Sequence, residues 1–213
     1  MNNIDLERYT RQISLPEIGI DGQKKLSQTR VLIVGVGGLG SPISIYLTAA
    51  GVGTIGLIDN DVVSISNLHR QVLYGSSQVN MPKTDCAYNR LHDLNPNVII
   101  NTYNLRLDRN NAEKIFADYD YIVDACDNFA TRYIINDVCK ALHKTYVYGA
   151  IAQFHGQVAV FDYSSDVDYN TLYPDREYFE NFKATQAPPV IGVTPAIVGI
   201  LEVQQVLQLV CGF

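Results

Sequence analysis

The stretch Val31-Leu32-Ile33-Val34-Gly35-Val36-Gly37-Gly38-Leu39-Gly40-Ser41-Pro42 reads as a short apolar strand, a glycine-rich turn and the start of an apolar helix. Glycines are needed where a backbone turns tightly, approaches a phosphate with no Cβ in the way, and lets a helix pack closely on a strand. The helix that follows offers free N–H groups and a partial positive charge to an anion. Asp59, 19 residues after Gly40, closes a second apolar run, and a carboxylate there can accept both hydroxyls of a ribose. To this point NAD and ATP are served equally, and a tight turn beside a strand-end aspartate is the alternative with no ligand at all.

Around this unit, short runs rich in valine and isoleucine recur: Val31 to Val34, Ile55 to Ile58, Val98 to Tyr103, Tyr121 to Val123 and Thr145 to Tyr148. Helical stripes separate them, at Ala87, Leu91 and Leu94 and again at Ile134, Val138, Ala141 and Leu142. This is the pattern of an α/β, doubly wound, Rossmann-like fold: a mostly parallel sheet with helices on both faces. Gln157 to Tyr163 alternates and extends the same sheet, whereas Ser164 to Gln186, rich in Asp, Tyr and Asn, reads as a long crossover loop. The apolar end from Val190 to Phe213 is broken by Pro195, Glu202 and three glutamines, so it reads as a buried helix or a subunit interface rather than a membrane span. The expected organisation is one domain: an N-terminal helical arm over 1–28, a nucleotide-binding core over 29–163, a crossover over 164–189 and a C-terminal helix over 190–213.

Composition narrows the function classes. The 213 residues are 47% hydrophobic, enough for a sizeable core, and 16 Lys and Arg against 22 Asp and Glu leave a net charge of -6. A nucleic-acid binder working through a global positive field is therefore not expected. Cys86, Cys126, Cys139 and Cys211 stand singly, with no zinc or redox spacing. The opening Met1-Asn2-Asn3-Ile4-Asp5 has no basic, apolar leader, so a cytoplasmic protein is expected.

Cations separate the nucleotides. After Asp59-Asn60-Asp61 come Ser66-Asn67-Leu68-His69-Arg70-Gln71 and then Pro82-Lys83, where Pro82 suits a first helical turn. A lysine at a helix N-terminus is mildly unfavourable unless an anion faces it. Arg70 and Lys83 together are candidate clamps for a triphosphate. Asp127-Asn128 ends the fourth strand at the ligand edge of such sheets, and Asp127 could hold magnesium, which needs one or two carboxylates beside phosphate oxygens and water. The plainer reading is turn and cap chemistry ahead of a helix. Asp124, deeper in the strand, suits hydrogen bonds to backbone groups. Arg8 and Arg11 share one face if the arm is helical.

Together with Arg8-Tyr9-Thr10-Arg11-Gln12 and Ala50-Gly51-Val52-Gly53, these motifs make the chain, from about Leu6 to Gly212, resemble the ThiF/MoeB/HesA family, relatives of the ubiquitin-activating enzymes. The resemblance implies adenylation of the C-terminal glycine of a ubiquitin-like sulfur carrier protein, with ATP and Mg2+, by a homodimer. Gly35, Gly37, Gly38 and Gly40 would line the phosphates, Asp59 would hold the ribose, Asn67, Arg70 and Lys83 would contact phosphates, and Asp127 would bind the metal. Asp61, Ser66 and Asn128 complete the nucleotide-site candidates, and Arg11 would reach the partner subunit's site. Family members often carry zinc on two Cys-x-x-Cys pairs; here the first falls at Asp168-Tyr169-Asn170-Thr171 and the chain ends at Phe213 before the second, so no zinc is expected. Thr185 stands where some members have a loop cysteine, so the expected product is the acyl-adenylate, with sulfur loading left to a separate donor protein. Between thiamine and molybdopterin supply the reading leans to thiamine. An NAD-dependent oxidoreductase and a non-catalytic scaffold subunit are the competing readings.

Overall fold

The computed structural model describes residues 3–182 and 189–213. Its six strands are β1 (Arg30–Val34), β2 (Thr54–Ile58), β3 (Ile99–Tyr103), β4 (Tyr121–Asp124), β5 (Thr145–Ala152) and β6 (His155–Phe161), and they form one sheet in the order β3-β2-β1-β4-β5-β6. The first five are parallel, and β6 returns antiparallel to β5 through a tight hairpin. The apolar runs show no alternation because parallel strands here are covered on both faces.

The helices are α1 (Asn3–Arg8), α2 (Thr10–Ile13), α3 (Gly19–Gln28), α4 (Gly40–Ala50), α5 (Lys83–Leu94), α6 (Arg109–Phe116), α7 (Phe129–Ala141), α8 (Tyr169–Leu172), α9 (Arg176–Asn181) and α10 (Val193–Cys211). On one face Ile33, Leu57, Val123 and Val147 pack with Leu39, Ile43 and Leu47 near and along α4 and with Val198, Val203 and Val206 of α10. The other face is aromatic: Leu32, Ile122, Tyr146 and Tyr148 meet Phe116, Tyr119, Tyr133 and Tyr169. Strand order reverses between β2 and β4 on either side of β1, and ligands of open α/β sheets bind in the crevice at such a switch point, beyond the strands' carboxyl ends.

Three expectations change. The crossover is not structureless: Asp168 and Asp175 cap α8 and α9, and Tyr169, Tyr173 and Phe179 pack into the aromatic core. The buried face of α7 is Arg132, Tyr133, Asn136 and Cys139, because α8 and α9 cover the helix on a second side; Ile134 and Val138 lie only half-buried and Ala141 is exposed. The N-terminal arm breaks at the buried Tyr9, which accepts a hydrogen bond from Asn95 Nδ2 at 2.8 Å, so Arg8 and Arg11 belong to different helices. α10 is the one helix among the described residues long and apolar enough to cross a membrane by composition, yet 39% of it is buried against α3, α4, β5 and β6.

Candidate nucleotide site

The glycine turn lies at the switch point. Gly35 has φ +96°, and a Cβ there would lie 2.6 Å from the Ala125 carbonyl oxygen of the neighbouring strand end. A Cβ on Gly40 would overlap the Gly35 carbonyl. These two contacts explain why the turn tolerates no larger residue and how it fits against β4. No side-chain hydrogen bond caps the start of α4 among the described residues; Ser41 N donates instead to the Gly37 carbonyl of the turn at 2.9 Å.

The loop after β2 folds over this turn. Asp59 Oδ2 accepts from Val36 N at 2.8 Å and Oδ1 from Asp61 N at 2.9 Å, tying the end of β2 to the turn and leaving each oxygen a further lone pair. Tyr74 O–H donates to Val36 O at 2.8 Å. Gln71 is buried against Gly37, and its Oε1 has no hydrogen-bond partner among the described residues. From the other side Pro195 of α10 closes on Gly38, where a Cβ would lie 3.2 Å from it.

Lys83 is the first residue of α5, with Pro82 one place ahead of the helix, and it is only 3% exposed. The anion its position demands is present in the chain itself: Nζ lies 2.8 Å from Asp61 Oδ2 and 3.8 Å from Asp59 Oδ2. Arg70 is held differently. It donates to Asn67 Oδ1 at 3.0 Å and to the Ser66 carbonyl at 3.2 Å, and stands 2.9 Å from His69 Nε2. Among the described residues no carboxylate pairs with Arg70 and no cation with Asp127. Asn128 caps α7 through Thr131 N at 2.9 Å, and its Nδ2 lies 3.4 Å from Asp127 Oδ1. An exposed single carboxylate suits magnesium arriving with phosphates and waters of its own. No cluster of three metal-ligating side chains occurs among the described residues.

Arg11 is not brought to this site. Its neighbour Gln12 bonds the Ala50 carbonyl at 3.0 Å, at the far end of α4, and the 11 residues of that helix separate Arg11 from the glycine turn by roughly 16 Å. Thr185 lies outside the described residues. The Asp168–Thr171 stretch, where a thiolate pair would fall, is occupied by a helix cap: Asp168 accepts from Thr171 N at 3.1 Å.

A family model described as the ThiF family matches residues 9–213. The chain belongs to the ThiF family. This ThiF-family chain is 44% identical over 213 residues to a sulfur carrier protein adenylyltransferase of Thermus thermophilus, covering 98% of this chain and 79% of that protein. It is 41% identical over 207 residues to a probable molybdopterin-synthase adenylyltransferase of Porphyra purpurea, covering 97% of this chain and 54% of that one. The chain spans about half the length of several curated relatives it matches. A crystal structure of E. coli MccB with ATP has a TM-score of 0.83 at 24% identity, over 100% of this chain and 64% of that one, which is a likeness of fold.

Within this ThiF-family site, pattern reading missed Arg132. It sits four places after the cap Asn128 on α7 and reaches back to the strand end, a helical spacing that could have pointed to it. Its side chain and that of Asp124 are both buried, with Arg132 Nε 3.5 Å from Asp124 Oδ2. Burial pushes the Asp124 carboxyl up, while Arg132's charge and hydrogen bonds from Cys126 and Tyr146 pull it down. Burial works to lower the Arg132 value, but Asp124's charge outweighs it and the guanidinium is held charged.

Proposed function

We propose that the chain adenylates the C-terminal carboxylate of a ubiquitin-like sulfur carrier protein, with ATP as the nucleotide donor and Mg2+ held by Asp127. The observation that carries this reading is the charge layout: Arg70 with no carboxylate among the described residues and a buried Lys83 on one side of the glycine turn, and Asp127 with no cation among the described residues across the switch point. A redox dinucleotide gives these three groups no work. The names of the relatives support a carrier protein as acceptor, and they favour a molybdopterin-type carrier over a thiamine-type one.

The carrier carboxylate oxygen bonds to the α-phosphorus, the bond from that phosphorus to the α–β bridging oxygen breaks, and pyrophosphate leaves. No protein base is required, since a carboxylate is already ionised near neutral pH. Asp59 positions the ribose, the turn and Asn67 orient the phosphates, and Arg70 and Lys83 stabilise charge developing on them. Lys83 can serve because phosphate replaces Asp61, a largely exposed carboxylate, as its counterion. Bound magnesium would neutralise phosphate charge.

Arg11 acts in the partner's site in this reading. Its place at the far end of α4 supports that, as does the outer face of α10, where Val193, Ile197, Ile200 and Leu201 are exposed and no charged residue interrupts them. A groove of about 400 Å³ between α10 and β6, lined by Phe154, Val158, Ile197 and Leu201, continues this apolar surface. The crossover segment, standing beside Phe129, is the candidate grip for the carrier's tail.

Exchange of labelled pyrophosphate into ATP, dependent on added carrier and run with thiamine-type and molybdopterin-type carriers side by side, tests the function. Asp127→Ala is expected to abolish exchange with an unchanged melting temperature; unaltered exchange removes Asp127 from the mechanism. Binding of NAD with no binding of ATP and magnesium would overturn the whole reading.

A further inference from the structure

Among the described residues Asp127 has no side-chain contact beyond 3.4 Å to Asn128 Nδ2, yet the residue before it is pinned on both sides. Cys126 N donates to Asp124 Oδ1 at 2.9 Å, and Cys126 O accepts from Arg132 Nη2 at 3.0 Å. Asp124 and Arg132 are themselves joined at 3.5 Å, and Tyr146 O–H donates to Asp124 Oδ2 at 2.7 Å. The guanidinium lies 5.6 Å from the ring centres of both Phe129 and Tyr148, which bar it from swinging away. A buried ion pair is a poor source of stability compared with apolar packing, so its presence at this strand end is better explained by what it orients.

We propose that Arg132 is a positioning residue for the metal-binding carboxylate: with Asp124 it clamps the Cys126 peptide groups and so sets where Asp127 presents its oxygens. Planar, forked Arg132 reaches the Cys126 carbonyl and Asp124 at once, whereas a lysine carries the same charge at a single point. Partners that orient a metal ligand typically matter by about 10- to 100-fold in metal affinity.

This role rests on Asp127 holding magnesium beside ATP. Calorimetric titration of ATP into the full chain, in EDTA and then in excess Mg2+, reads it without carrier or turnover, and Asp127→Ala measures how much of the magnesium-dependent gain in affinity passes through Asp127. Arg132→Lys is expected to lose at least about tenfold of that gain while binding ATP in EDTA as the parent does. Full retention of the gain, or an equal loss in EDTA and in Mg2+, overturns the positioning role. A parent chain that binds ATP but shows no gain, or an Asp127→Ala variant that keeps it, overturns the metal reading instead, and the clamp with it. Where Arg132→Lys does not fold, Tyr146→Phe removes only the hydroxyl on Asp124; a several-fold smaller gain supports the clamp and an unchanged one overturns it.

Discussion

Glu202 shows how much a single residue can depend on its surroundings. It is wholly buried on α10, neither oxygen has a hydrogen-bond partner among the described residues, and a Cβ on Gly149 of β5 would collide with the carboxyl. Burial pushes its pKa well above the ordinary value, Asp124 adds to the rise and Arg132 opposes it. The folded chain therefore keeps a proton that the unfolded chain releases, and stability falls as pH rises above the usual glutamate range until the folded value is passed. Glu202→Gln should flatten that slope: melting temperatures at pH 5 and pH 8 should converge in the variant relative to the parent. Parallel pH profiles for the two would show that Glu202 is not the titrating group. Nothing in the run Ile200 to Val203 marks this glutamate as buried, since a lone acid in an apolar helix reads equally well as its solvent side.

Among the elements, the strands and the turn were legible because their signals are local: apolar runs of strand length, and glycines where the backbone has no room for a Cβ. Gly35→Ala is expected to destabilise the turn, since its positive φ and the Ala125 carbonyl both oppose a side chain, and urea unfolding of the variant should show a lowered midpoint at an unchanged slope. The crossover helices were not legible. Helices of four and six residues show no apolar period and do not persist alone. They exist because Asp168 caps the first and because Tyr169, wholly buried, sits with ring centres 5.0 Å from Tyr133 and 5.4 Å from Tyr148. Tyr169→Ala should cost about 3 to 5 kcal/mol, as truncation of large buried aromatics does, and urea unfolding monitored by tyrosine fluorescence would measure it. A loss below about 1 kcal/mol would mean that the crossover is not anchored through this ring.

At the scale of the whole molecule, the layout separates groups that the proposed reaction needs together. Arg11 lies at one end of α4 and Asp127 at the other, so in the proposed homodimer a two-fold pairing that brings one subunit's arm to its partner's crevice would complete both sites. Arg11→Ala and Asp127→Ala chains, each inactive in pyrophosphate exchange alone, should regain about a quarter of parental activity when mixed and allowed to exchange subunits, because half the dimers then hold one intact site. No recovery despite proven exchange would place Arg11 outside the partner's site. Ile200→Glu, on the exposed face of α10, should shift sedimentation toward the monomer and lower exchange activity in step.

What this sequence determined by itself was the parallel sheet, the glycine turn and the identity of the charged candidates. Each is written in residues adjacent along the chain, where hydrophobic period and glycine sterics act. Tertiary structure alone decided how those charges are spent. It gave Lys83 its counterions, left Arg70 and Asp127 without any among the described residues, locked Cys126 between Asp124 and Arg132, and set Arg11 apart. The physical reason is that Coulombic and hydrogen-bond partnerships act over a few ångströms in space, while partners such as Lys83 and Asp61, or Tyr146 and Asp124, stand 22 residues apart in sequence.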